Sequence, residues 1–293
     1  MIEDAAGRTG SAAAEARPST RAATRRRGWG SAPLVAVASL FALFLGLPVL
    51  TLLVRAVLDG SLSVAVVSPV VLDAVSLSLV TTAMSLVITV TLGVPLAFVL
   101  ARRRFRGKGL LEALVDLPIV LPPSVAGLAL LLVFGRRGLL AAPFGLLGIS
   151  IPFTTVAVIL AQTFVSAPFF IRSARTGFAG VDRDLEDAAR VDGASERQLF
   201  RAITVPLAGA ALAAGLVMSW ARSLGEFGAT IMFAGNVEGR TQTLPLVVYG
   251  EFQGGSLDAS IAAAAMLVLA AFGVLVAVRA LHWGRVLDVR SFG

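Results

Sequence analysis

The sequence has no cysteine, one histidine (His282), one tyrosine (Tyr249) and one lysine (Lys108) among its 293 residues. Each scarcity removes a class of chemistry. Without cysteine there is no disulfide framework and no thiolate ligand or nucleophile. One histidine cannot build a zinc site from several nitrogen or sulfur ligands, nor a histidine relay for protons. The lone lysine stands in Arg106-Gly107-Lys108-Gly109, which is not the GxxxxGK[ST] phosphate loop, so any ATP is hydrolysed on another chain. Charge is scarce too, with 15% of residues charged against 57% hydrophobic and a mean hydropathy of +0.86.

What is plentiful is uninterrupted apolar sequence. Runs able to cross a ~30 Å hydrocarbon core recur along the chain, which marks an integral membrane protein. Continuous rather than alternating hydrophobicity selects helices over a closed barrel, so the fold class is all-α. The net charge of +7 then reads as topology, not as affinity for nucleic acid. Residues 1–33, rich in Ala, Arg, Ser and Thr, are expected to form a disordered cytoplasmic arm. Spans are expected over 34–54, 75–100, 117–134, 152–171, from 207 onward with an interruption near 222–228, and over 260–281. A permease domain thus covers 34–282, and 283–293 form a cytoplasmic tail. Twenty of the 25 basic residues fall in the segments 1–33, 101–116, 172–205 and 279–293. The positive-inside rule therefore predicts six helices with both termini inside.

Two stretches break the apolar pattern. The charged segment 182–206 lies within a cytoplasmic loop at 178–206. Asp182 is placed as an N-cap, with Asp184 and Glu186 in the first turn. Gly193 is placed to stop that helix in a left-handed turn, and Ser195 with Gln198 to open a second as a capping box. Pro206 marks the start of the next apolar run. The prediction is two short helices at a fixed bend, with Ala188 and Ala189 leaving one face bare and Arg190, Arg197 and Arg201 around it as charged contacts. The second stretch is polar sequence inside spans. Pro118, Pro122 and Pro123 crowd the third span, where backbone hydrogen bonds are lost unless the segment is buried or lines a cavity. In the fifth, Arg222 and Glu226 are four apart and predicted to pair on one helix face, with Gly225, Phe227 and Gly228 beside them. Pro122, Pro123, Arg222, Gly225, Glu226, Phe227 and Gly228 are the candidate pathway and gate residues, Phe227 as a plug.

Asp187-Ala188-Ala189, three residues, Gly193, nine residues, then Ile203-Thr204-Val205-Pro206 resembles the EAA loop of ABC importer permeases, with Asp187 where Glu is usual and Val205 where Leu is usual. The run from Ser223 to Asn236 with Gly239-Arg240-Thr241-Gln242-Thr243-Leu244-Pro245-Leu246, Leu121-Pro122-Pro123-Ser124 and Phe134-Gly135-Arg136-Arg137-Gly138 is similar to molybdate permease subunits of that class. Sulfate and tungstate permeases share much of this pattern. The resemblance covers roughly 70–282. It implies type I importer architecture, a homodimer, and two cytoplasmic ATPase subunits that carry the ATP and Mg²⁺. It also implies an external oxyanion-binding protein and a bacterial cytoplasmic membrane, with no cofactor on this chain. Glu186, Asp187, Ala188, Ala189, Gly193, Ile203 and Pro206 become the residues coupled to the ATPase. The rival class is a secondary transporter driven by an ion gradient. It usually carries intramembrane acids, and Glu226, with Arg222 beside it, is the one such candidate.

Overall fold

The computed structural model describes residues 31–289. The expected arm lies outside the described residues as far as residue 30, as does the tail beyond 289. Two compact units are distinguished, residues up to Pro48 and residues from Val49 onward. The described residues are helical throughout, with no strand among them. α1 runs Ser31–Leu58, and the short α2, Ser61–Val67, leads into α3, Pro69–Arg102. α3 therefore starts earlier than the predicted 75, because Pro69 fits a first helical turn, where its missing N–H costs nothing.

α4, Lys108–Val120, and α5, Pro123–Phe134, meet at a 120° bend. The expected third span was to begin at 117. Instead α4 continues through Pro118, and the chain breaks at Leu121-Pro122. Leu121 is extended, as the residue before a proline tends to be. α6, Ala141–Leu146, lies in the stretch expected as an external loop. α7, Thr155–Ala179, follows, capped by Thr154, whose hydroxyl accepts from the Ala157 N–H. α8, Arg183–Val191, and α9, Glu196–Leu199, form the elbow. α9 leads through a π-helical turn at Phe200–Thr204 into α10, Val205–Leu207. A 69° bend then separates Glu196–Leu207 from α11, Gly209–Leu224. Pro206 therefore sits inside the elbow's second helix. The wider π turn relieves the clash a proline ring makes with the carbonyl four residues back.

After a break at Gly225–Phe227 come α12, Gly228–Ala234, α13, Leu244–Gln253, and α14, Leu257–Val289. α14 carries helix through 283–289, into the stretch named above as the cytoplasmic tail. Among the described residues, four helices are long and apolar enough to cross a membrane, and the number rises to six if each of the two bent pairs is one span. The chain is a multi-pass membrane protein.

The second unit is built on α3, α7 and α11. The inward face of α3 carries Ala74, Ser78, the adjacent Thr81 and Thr82, Ser85, Thr89 and Gly93, all buried and otherwise three or four residues apart. In lipid the partner of an apolar side chain can as well be a lipid tail, so helix contacts favour small residues that bring backbones close. Thr163 on α7 donates to Ser85 at 3.1 Å. Ser173 Oγ donates to the Ala211 carbonyl at 2.7 Å and Ser219 Oγ to the Ser166 carbonyl at 3.1 Å. These last two bonds fix α7 and α11 as antiparallel neighbours. They also set where the elbow between them sits.

Candidate functional site

The elbow is built by local rules. Asp182 accepts from the Asp184 N–H at 3.0 Å, and Asp184 and Glu186 lie in the first turn of α8. At the other end Gly193, at φ +86°, is left-handed. Its N–H donates to the Arg190 carbonyl and the Ala194 N–H to the Ala189 carbonyl, at 3.0 and 2.9 Å. This Schellman pair satisfies carbonyls that a helix end leaves open. Ser195 and Gln198 close the capping box as predicted, with the Ser195 N–H donating to Gln198 Oε1 at 2.9 Å.

Arg190 fastens the two helices together. Its guanidinium lies 2.6 Å from Asp187 Oδ1 on its own helix and 2.7 Å from Glu196 Oε1 across the bend. The hydrogen bond from Arg190 holds the Glu196 carboxyl below the usual carboxylate range, and that bond first, then Asp187, holds Arg190 above its ordinary value. Arg190 is thus engaged within the elbow, with 41% of its side chain still exposed.

The two faces of α8 differ. Leu185, Asp187, Ala188 and Val191 are exposed, Leu185 at 51% and Val191 at 88%. Ala189 is half-buried, Gly193 and Pro206 are exposed, and Ile203 is half-buried. Glu186 points the other way. At 6% exposure its Oε1 accepts from Arg102 Nη2 of α3 and from Thr204 Oγ1 of the π turn, each at 2.8 Å. Glu186, named above among the residues coupled to the ATPase, thus turns toward α3 and the π turn, away from the exposed face of α8. Arg102 and Thr204 are partners of Glu186 that do not stand out in the sequence. Nothing in the row Arg102-Arg103-Arg104 singles out the first, and the phase of α3 relative to α8 is a tertiary fact. Phe200 adds an edge-on contact to Phe98 of α3 at 5.2 Å, and Phe98 meets Phe178 of α7 at 5.6 Å.

The second candidate site is where the broken helices meet. A Cβ on Gly228 would lie 2.5 Å from Pro123 Cβ, so the starts of α5 and α12 touch. Pro122 is the exposed N-cap residue of α5. Arg222 and Glu226 do pair, Nη1 to Oε2 at 2.6 Å, but across the break and not on one helix face, since α11 ends at Leu224. Glu226, 1% exposed, also accepts from the Ala229 N–H at 2.7 Å through Oε1. A carboxylate is favourable at that helix start. Phe227 packs against Tyr249 of α13, centroids 4.9 Å apart with the rings tilted by 51°, and lines an apolar cavity of about 440 Å³ with Pro245, Phe252 and Leu267. The sequence-predicted residues Pro123, Arg222, Glu226, Phe227 and Gly228 are thus gathered at one break, with Gly225 exposed beside them.

Residues 93–284 match the family described as the binding-protein-dependent transport system inner membrane component, and they include both sites. The chain belongs to this family. Among its relatives, a molybdenum transport system permease protein of Mycobacterium tuberculosis is 45% identical over 207 residues, 71% of this chain and 78% of that one. A probable molybdenum ABC transporter permease protein of Haloferax volcanii is 42% identical over 231 residues, 78% and 82% of the two chains. A molybdate/tungstate transport system permease protein of Pyrococcus abyssi is 36% identical over 245 residues, 83% and 92%. In fold, the chain is similar to one in the crystal structure of a bacterial ABC transporter that imports the polysaccharide alginate. The TM-score is 0.70 at 17% identity, over 86% of this chain and 93% of that one. The binding-protein-dependent transport component thus presents a stapled elbow at one end of its helices and a packed break in two bent spans.

Proposed function

We propose that the chain is the membrane-spanning permease subunit of an ATP-driven importer of molybdate, working by alternating access in a bacterial cytoplasmic membrane with both termini inside. Two copies form the pathway, two cytoplasmic ATPase subunits bind ATP and Mg²⁺, and an external binding protein delivers the oxyanion. The observation that carries this reading is the elbow. A short helix fixed at both ends, bare at Ala188 and apolar at Leu185 and Val191, is suited to enter a groove on another protein and transmit a push. Molybdate is favoured because the relatives named above carry it in their names, and tungstate is the second candidate because one of them carries both.

The break acts as a gate and not as the oxyanion site. The charge of Arg222 is matched by Glu226, and the start of α12 already holds that carboxylate. Selectivity then rests with the binding protein, and a permease without a tight site of its own releases its cargo quickly. The test is uptake of labelled molybdate by liposomes holding the permease, ATPase and loaded binding protein. Uptake is expected to require ATP and the ATPase, to persist when ion gradients are collapsed, and to be competed by tungstate more than by sulfate. Uptake that survives without the ATPase and stops with the gradient would make the chain a secondary transporter.

A further inference from the structure

Both halves of the elbow reach the same end of α3. α8 does so through Glu186 to Arg102, and the π turn through Phe200 to Phe98. Thr204 closes the arrangement by donating to the oxygen that Arg102 also reaches, so one carboxylate joins α3, α8 and the π turn. Among the described residues, Arg102–Glu186 is the one ion pair between the elbow and a membrane helix. The pairs Glu112–Arg175 and Asp116–Arg172 tie α4 to α7 instead. The side chains of the clamp are 10% and 7% exposed, and Thr204 is fully buried. α11, next in sequence, is set off from the elbow by the 69° bend.

Apolar contacts have no preferred direction and let surfaces slide, whereas a desolvated, hydrogen-bonded ion pair fixes both distance and orientation. Resting on the reading of the elbow as the ATPase-facing part, we infer that Glu186 is a positioning residue that makes the elbow and α3 one rigid lever. A displacement of α8 is delivered to α3 through Arg102, while α11 follows by bending at Ala208. Removing the carboxylate leaves the buried guanidinium, whose Nε is already without a partner among the described residues, without its counter-charge. The elbow still forms, because its caps and the Arg190 bridge are untouched, but it moves without carrying α3.

The experiment uses the whole complex in liposomes, with ATPase subunits free of cysteine. Spin labels at Val99→Cys in α3 and Arg183→Cys in α8 report the distance between helix and elbow, without nucleotide and with ATP trapped. With Glu186 intact, one distance is expected in both states. In Glu186→Gln, a second, shifted population is expected when ATP is bound. Uptake per ATP hydrolysed should fall about tenfold in Glu186→Gln and in Arg102→Gln, with the double variant no worse than either. Thr204→Val, which keeps the ion pair, should fall less. A distance that changes with ATP in the chain with Glu186 intact, or single effects that add in the double, overturns the proposal. Co-purification of the ATPase controls for assembly. Where a charge variant fails to assemble, the distance with Glu186 intact and Thr204→Val still decide. A wild-type complex that hydrolyses ATP without taking up molybdate counts against the substrate reading alone, since the distance needs no substrate.

Discussion

Gly225 and Gly228, three residues apart in the same break, have different physical jobs. At Gly228 a methyl group would meet the Pro123 ring, which cannot rotate away, at 2.5 Å. At Gly225 the nearest atom to a new Cβ is the Ala221 carbonyl oxygen at 3.5 Å, an ordinary contact, and the backbone φ of −86° suits any residue. Gly228→Ala should therefore push α5 from α12 and destabilise the protein by ~1–3 kcal/mol, as overpacking does, while Gly225→Ala should be close to neutral. Thermal unfolding of both variants in one detergent checks this. Equal midpoints would mean that the helices separate freely at the break. The sequence marked both glycines as gate residues, but only the position of Pro123 across the contact separates them.

The elbow is the element most legible in the sequence. Asp182, Gly193 and the Ser195–Gln198 box act within four residues of themselves, so their roles follow from spacing alone. Gly193 has open space around a hypothetical Cβ, so a substitution there meets backbone strain and no clash. Gly193→Val should cost the elbow ~1–2 kcal/mol in the left-handed conformation, whereas Gly193→Asn should be tolerated, since asparagine enters that region more readily. Binding of the purified ATPase to each variant is the measurement. Weakened binding is expected for Val and near-normal binding for Asn, and equal loss in both would show that the fixed bend is not what matters. The inward turn of Glu186 and the pairing of Arg190 across the bend were not legible. Each depends on a partner, Arg102 or Glu196, whose approach is decided by how helices pack.

At the scale of the molecule, the distribution of Lys and Arg predicts both termini inside. Since the chain has no cysteine, single cysteines can be placed without background. Cysteines at Arg104 and Ser195 should resist an impermeant thiol reagent in intact cells, and those at Ser68 and Gly254 should react. Labelling at Ser195 from outside would invert the topology and remove the elbow from the compartment where ATP is hydrolysed. The outward faces of α3, with Val80, Met84, Val87 and Leu92 exposed, leave apolar surface for lipid or for a second copy of the chain.

That the chain lies in a membrane as helices, where most of its spans run, and how the elbow caps and bends can be read from the order of the residues. These follow from hydropathy and from hydrogen bonds between near neighbours, which any fold must respect. Helix packing alone sets that α4 and α5 part at Leu121-Pro122, that Pro123 rests on Gly228, that Arg222 and Glu226 bridge a break, and that Glu186 faces α3. Each of these depends on the phase in which one helix meets another. In a membrane, where lipid and protein are equally apolar, small residues and buried polar contacts fix that phase, and a linear pattern of hydrophobicity carries little record of it.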